Sequence, residues 1–257
     1  MTQSEESRVR VIAHRGGRFP GIHHLEVERC IEAAIAAAIP MVEVDLRRLG
    51  DGQLVIEHDP EIGGVSLASM SHAELDRHCQ RLGRATPPIA SHILKRFAGA
   101  VHFDLELKEP GTEAQALELA RGALPDGSFV FKSFHDTTVR ELKRLSPEAR
   151  VGLLLGRSDP RHWIRTRLIE IFPEWRLRRT GADFVSPHHR LARVPGFLPR
   201  MRALGLPVWV WTVNDLDLAR AIAPRLREGD ALITDHPVEV REAVQPGFNR
   251  GSDRRRP

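Results

Sequence analysis

Apolar residues in this chain fall into short continuous runs separated by longer segments with helical spacing. The runs cover 9–13, 41–46, 101–107, 129–132, 150–155, 182–186, 207–211 and 231–234. They are rich in Val, Leu and Ile, bounded by turn residues, and of strand length. Such runs suit strands covered on both faces, as in a parallel sheet. Between them, 25–38 sets Cys30, Ile31, Ala34, Ile35 and Ala38 on one helical stripe. A second helix is expected over 112–123 after Pro110-Gly111. A third, over 136–145, opens on Asp136 as its expected N-cap and stops before Ser146-Pro147. The last two are expected over 215–223, behind Asn214-Asp215, and over 238–244, behind Pro237.

Eight strands alternating with helices in 257 residues point to an α/β fold, a closed (β/α)8 TIM barrel rather than an open sheet. One domain is expected over 1–244. Two segments break the alternation. The first, 50–100, lies after the second barrel strand and reads as a small insertion: a turn at Gly50-Asp51-Gly52, an extended piece over 53–57, then a polar stretch. The second, 157–179, has seven arginines against three acids, with Trp163 and Trp175 among them. Trp interleaved with Arg suits a weak contact with an anionic membrane surface. An enlarged barrel helix whose Arg stems cover apolar surface is the other reading. The tail, 245–257, is rich in Gly, Pro and Arg and is expected to be disordered and basic.

Composition narrows the class. The net charge of +4, from 38 basic and 34 acidic residues, suits an anionic small molecule without requiring nucleic acid, and no nucleic-acid-binding motif is present. Cys30 and Cys79 have no metal-ligand spacing, which suits two reduced thiols. There is no secretory apolar segment and no run of 18 apolar residues, so the expectation is a cytoplasmic protein.

In a barrel of this kind, chemistry sits where the strands end. Polar residues gather there: His14-Arg15-Gly16-Gly17, Glu43 and Asp45, Glu106 and Lys108, Ser133, Trp211 to Asn214, and Thr234-Asp235. Glu43 and Asp45, two apart on a strand, point to the same side. Two nearby carboxylates repel, and a divalent cation removes that cost. Oxygen-only ligation favours Mg²⁺ or Ca²⁺, with Glu106 as a third donor. Rim charges paired with Arg15 or Arg47 are the other reading that spacing leaves open. His14 and His58 stand out from the 13 histidines by their neighbours and are candidate proton carriers. Arg15 and Lys108 suit phosphoryl oxygens, and Trp211 suits an apolar wall for a substrate.

These residues carry a resemblance. Val11-Ile12-Ala13-His14-Arg15-Gly16, Val42-Glu43-Val44-Asp45 and Asp51-Gly52-Gln53-Leu54-Val55-Ile56-Glu57-His58-Asp59 resemble the opening motifs of the glycerophosphodiester phosphodiesterases. Glu106-Leu107-Lys108, Ser133-Phe134, Trp211-Thr212-Val213-Asn214 and Thr234-Asp235-His236-Pro237 continue the series in order along nearly the whole chain. The resemblance implies a TIM barrel enzyme that hydrolyses a glycerophosphodiester to glycerol 3-phosphate and an alcohol. It implies His14 and His58 as general acid and base, Arg15 and Lys108 at the phosphate, and a divalent metal on Glu43, Asp45 and Glu106. Segment 50–100 would help shape the glycerol site. A lysophospholipase D-like reaction on lipid substrates and a catalytically impaired phosphate-binding barrel are the alternatives.

The sequence departs from the family pattern in one place. Where the family carries Pro-Glu-Asn-Thr after the first strand, this chain has Phe19-Pro20-Gly21-Ile22-His23-His24-Leu25-Glu26-Val27. His23 and His24 are either compensating site residues or loop histidines near the mouth, and Glu26 is the acid closest to the missing position. His188 and His189 stand at another strand end. Asn214 is expected to cap or anchor the following helix, and Asp235 to hold a rim loop.

Overall fold

The computed structural model describes residues 9–156 and 170–245. The expected tail, apart from Gln245, and the first part of the Arg/Trp-rich segment lie outside the described residues. The strands are β1 (Arg10–Ala13), β2 (Met41–Arg48), β3 (Leu54–Ile56), β4 (Glu61–Ile62), β5 (Val65–Ser66), β6 (His102–Leu107), β7 (Phe129–Ser133), β8 (Val151–Leu155), β9 (Phe184–Pro187), β10 (Trp209–Val210) and β11 (Ala231–Thr234). The helices are α1 (Val27–Ala36), α2 (His72–Leu82), α3 (Ala90–Arg96), α4 (Glu113–Ala123), α5 (Asp136–Leu145), α6 (Glu174–Thr180), α7 (His189–Ala192), α8 (Phe197–Ala203), α9 (Leu216–Ile222) and α10 (Pro237–Val244).

Eight strands pair in parallel in the order β10-β11-β1-β2-β6-β7-β8-β9. Parallel bridges Val185 to Val208 and His188 to Trp211 join the two ends and close the barrel. All eight expected strands are present in the expected order. Alternation along each strand then sorts the side chains. Outward residues such as Val11, Val42, Val44, Phe103, Leu105 and Phe131 pack against the helices in one large core. Inward, the lower barrel is filled by Ile12, Met41, Val130, Phe184, Trp209, Ala231 and Ile233. Phe184 stacks on Trp209 with centroids 4.2 Å apart, and Gly152 leaves room for it: a Cβ there would lie 2.2 Å from the Phe184 ring. Higher on β2, β6 and β7, the inward positions turn polar.

Segment 50–100 contains two kinds of packing. Val55, Ile62, Leu67, Met70, Leu75 and Cys79, with Leu49 just before, form a small core of their own. Ala90, Ile93 and Leu94 of α3 belong to the barrel's outer core instead. α2 starts from a full capping box on Ser71 and Glu74, which satisfies two of its free N–H groups. β3 lies antiparallel on β2, so the insertion is tied to the strand that carries Glu43 and Asp45.

Two caps differ from expectation. Asp136 is the first residue of α5 and His135 its cap; the Asp136 carboxylate instead pairs with Arg176 at 2.6 Å. Asn214 does not cap α9. Asp215 does, accepting from the Leu218 N–H at 2.7 Å. Cys30 and Cys79 are free and buried. Among the described residues no helix is long and apolar enough to cross a membrane.

Candidate active site

The C-terminal ends of the strands surround a cavity of about 210 Å³ lined by His14, Arg15, Glu43, His58, Glu106, Lys108 and Trp211, together with Lys132, Phe134, Leu154 and Gly156. A second hollow of about 250 Å³ adjoins it. Arg15 and His58 border both, and Asp45, His24, Glu57 and Arg84 line the second. All eight residues singled out from the sequence therefore meet at one mouth.

Register explains the cluster. Glu43 pairs with Asp104, Asp45 with Glu106, and Glu106 with Lys132 on neighbouring strands. Inward alternation thus brings Glu43, Asp45, Asp104, Glu106 and Lys132 together, all buried. Ligand oxygens of Glu43, Asp45 and Glu106 lie within 4.8 Å of one another. Glu43 Oε1 and Asp45 Oδ1 have no hydrogen-bond partner, although Lys132 Nζ lies 3.3 Å from the first and Lys108 Nζ 3.2 Å from the second. Buried carboxylate oxygens in that state, in an all-oxygen donor set, fit a hard divalent cation.

The cations present offset part of the charge. Lys132 donates to Asp104 Oδ2 at 2.8 Å, and Lys108 to Glu106 Oε1 at 2.6 Å. Arg15 Nε lies 3.1 Å from Asp45 Oδ2. Burial works to raise the carboxyl pKa of Glu106, Asp104 and Glu43, and neighbours decide the outcome. Burial and the charge on Asp45 push Glu106 up to about 7. Burial, helped by Glu43, pushes Asp104 up to about 6. For Glu43 burial is outweighed by Lys132, His14 and the Arg15 N–H, which hold it at about 2. Burial works against the charge on Lys132 too, but Asp104 and Glu43 hold its ammonium well above the usual lysine range.

His14 opens a tight turn in which Arg15 adopts φ 51° and ψ 42°. That left-handed conformation is unusual for a side chain of this size. It points the Arg15 N–H at Glu43 Oε2, 2.9 Å away. His14 Nδ1 lies 2.6 Å from Asp235 Oδ1. An ionised carboxylate only accepts, so Nδ1 carries the hydrogen and Nε2 is left for chemistry. Burial lowers the His14 pKa, but Glu43 and the Asp235 hydrogen bond outweigh it and the net shift is upward. Asp235 is held at about 2 against its own burial, chiefly by His14. Asn214 fixes Asp235, donating to Oδ2 at 2.6 Å and accepting from its N–H at 2.9 Å. His58 repeats the motif with Asp59 at 2.7 Å, but burial and Lys108 push its pKa down.

Trp211 is half-buried at the mouth. Its indole N–H donates to the Ser186 carbonyl at 2.8 Å, and its ring meets Phe134 edge-on at 5.5 Å and His188 at 5.0 Å. With Leu154 these rings make one apolar wall of the cavity. The loop that departs from the family pattern does not bring an acid to the site: the Glu26 carboxylate is taken up by Arg29 and by the His23 N–H. His23 and His24 stack on each other at 4.5 Å on the surface, and His24 borders the second hollow.

Sequence reasoning passed over Lys132, Asp104 and the hold of Asp235 on His14. The first two had a signal: Asp104 stands two before Glu106, and Lys132 two after Val130, which places both inward. The third had none, because β1 and β11 are joined only in the closed barrel.

The fold and the mouth define a (β/α)8 barrel with a carboxylate cluster flanked by two histidines. No protein-family model matches the sequence, and no curated protein sequence matches it. Solved structures do. A glycerophosphodiester phosphodiesterase from Parabacteroides distasonis superposes with a TM-score of 0.74 at 23% identity, covering 93% of this chain and 98% of that one. A phosphodiesterase from Oleispira antarctica, solved with its product sn-glycerol-3-phosphate, gives 0.74 at 24% identity over 91% and 96%. A glycerophosphodiester phosphodiesterase from Thermotoga maritima gives 0.70 at 19% identity over 90% and 96%. The chain shares the fold of these enzymes over 90–93% of its length.

Proposed function

We propose that this chain is a metal-dependent glycerophosphodiester phosphodiesterase that releases glycerol 3-phosphate and an alcohol. The observation that carries the reading is the carboxylate cluster of Glu43, Asp45 and Glu106 between His14 and His58, with buried Glu43 and Asp45 oxygens that accept no hydrogen bond. The shared fold supports it, as does the product held by the Oleispira antarctica enzyme.

Glu43, Asp45 and Glu106 would hold Mg²⁺ or Ca²⁺, which supplies positive charge to the phosphoryl group. Arg15 and Lys108 border the same cavity and bind phosphoryl oxygens. Two histidines with Nδ1 held by carboxylates present Nε2 to the substrate. One takes the proton of the attacking water as the new P–O bond forms. The other gives a proton to the leaving alcohol oxygen as the old bond breaks. Their opposite shifts support His14 as the acid and His58 as the base. A cation on Glu43 reduces the upward push on His14, which narrows that gap. Trp211, Phe134 and Leu154 line the side where a glycerol backbone fits.

The test is hydrolysis of a panel of glycerophosphodiesters during titration with Mg²⁺ and Ca²⁺. His14→Ala and His58→Ala are each expected to lower turnover by about 10²–10⁴-fold without unfolding the protein. Glu43→Ala is expected mainly to weaken metal binding. No hydrolysis by the intact chain at any metal concentration would favour a phosphate-binding barrel without catalysis.

One observation favours a lipid-borne diester as a second reading. Phe172 and Trp175 are 58% and 64% exposed, with the Arg200 and Arg179 guanidinium groups 4.7 and 4.9 Å from their rings. Two residues before Phe172, Glu170 accepts the N–H of Gly156, a cavity residue, so the patch stands at the rim. Residues 157–202 carry eleven arginines against four acids. Exposed aromatics among arginines suit the interface of an anionic bilayer. Sedimentation with phosphatidylserine-containing vesicles checks this: the intact chain should bind, and the Phe172→Ala/Trp175→Ala chain should not. Failure of the intact chain to bind rules the contact out.

A further inference from the structure

Glu57 follows β3 directly and precedes His58. Its side chain is 9% exposed, and its carboxylate accepts three hydrogen bonds. Oε1 takes the N–H groups of His58 at 3.0 Å and Asp59 at 3.2 Å. Oε2 takes Arg84 Nη2 at 2.7 Å. The Glu57 N–H in turn donates to the Asp45 carbonyl at 3.1 Å. Arg84 comes from the far side of the insertion, one residue past Gly83, whose φ of 63° ends α2. Its backbone N–H binds the carbonyl of Cys79, a core residue of the insertion, at 3.1 Å.

The other side of the His58 peptide is held as well. Arg47 Nε donates to the His58 carbonyl at 2.8 Å, and its Nη1 reaches Glu109 Oε2 at 3.2 Å. The peptide is therefore gripped at its N–H by a pair anchored in the insertion, and at its carbonyl by a pair anchored on β2 and the end of β6. Among the described residues the ring's one hydrogen bond is to its neighbour Asp59, which is exposed. Without the backbone grip nothing else among the described contacts fixes where the imidazole stands.

We propose that Arg84 and Glu57 are positioning residues for His58, and that this is what the insertion contributes to the reaction. The proposal rests on the reading of His58 as a proton carrier. A displacement of about 1 Å in a reacting group costs on the order of 10²-fold in rate. The Glu57–Arg84 pair touches no proposed metal ligand through its side chains, so its effect should separate from metal binding.

The experiment compares the full-length protein with its Arg84→Ala, Arg84→Lys and Glu57→Gln variants, each saturated with divalent metal. Arg84→Ala should lower kcat by about ten- to a hundredfold with KM within about threefold of wild type. Arg84→Lys, which keeps the charge opposite Glu57, should recover most of that loss. Amide hydrogen exchange followed by NMR should quicken at His58 and Asp59 in Arg84→Ala and Glu57→Gln, and stay unchanged along β2 and β6. Unchanged kcat in Arg84→Ala overturns the proposal, as does unchanged exchange at His58 and Asp59. Faster exchange throughout β2 and β6 would make the pair a general structural support and also overturn it. If the wild-type chain hydrolyses no diester, the proposed function fails, while the exchange measurement still decides whether the clamp exists.

Discussion

Lys132 lets four carboxylates share the barrel interior. It lies 2.8 Å from Asp104 and 3.3 Å from Glu43, and is 2% exposed. Removing one partner of a buried ion pair strands the other charge. Lys132→Met should therefore destabilise the metal-free protein by about 3–5 kcal/mol, measured by urea unfolding. Adding Asp104→Asn should return part of that loss. The same cluster sets a pH dependence. An unfolded Glu106 releases its proton near 4.5, but the folded protein keeps it to about 7. Between those values the folded state binds more protons, so stability falls as pH rises through the window. A divalent cation held by Glu43, Asp45 and Glu106 would take the place of that proton. Mg²⁺ or Ca²⁺ should thus raise the melting temperature more at pH 8 than at pH 5. Equal shifts at the two pH values would contradict it. At the rim, Asp235→Asn removes the carboxylate that selects the His14 tautomer, and kcat should fall by about 10²-fold with metal affinity unchanged, as read by calorimetry.

At the scale of elements, strand alternation does most of the sorting. β2 carries Met41, Glu43 and Asp45 inward and Val42, Val44 and Leu46 outward. One strand so supplies barrel filling at one end and ligands at the other. β8 depends on a missing side chain: Gly152 faces Phe184, and a Cβ would lie 2.2 Å from that ring. Gly152→Ala should cost about 1–3 kcal/mol in chemical denaturation through overpacking. Because the clash lies in the lower barrel, turnover per folded molecule should change little. The sequence made the β2 alternation legible through Glu43 and Asp45. The same alternation on β6 and β7 was weaker to read, because Asp104 and Lys132 stand inside runs that are otherwise apolar.

For the whole molecule, the metal-ligand candidates sit on strands that the barrel's parallel pairing joins, with Arg15 on the turn after β1. Occupancy should stabilise the fold as a unit. At a free metal concentration of 100 times Kd the gain is about 2.7 kcal/mol, lost on adding a chelator. Glu43→Ala should show no such gain over the same concentrations, which calorimetric unfolding will decide. Charge is unevenly spread as well. The excess of arginines over acids in 157–202 exceeds the net charge of the whole chain.

The sequence by itself determined the eight strands, their order, and the barrel they form. Hydrophobic runs and helix stripes are local signals, and eight of them in this length favour closure. It also named most of the charged residues that meet at the mouth, because polar groups at strand ends break a pattern that is otherwise apolar. Only the tertiary structure decided which of them touch. His14 and Asp235 are 221 residues apart and meet because β1 and β11 are neighbours. Arg84 reaches Glu57 because the insertion folds back over β3. Lys132 becomes the counter-ion of Asp104 and Glu43 because register sets three strands side by side. Such partnerships depend on distances that close only when the barrel does, and no local pattern in the chain encodes them.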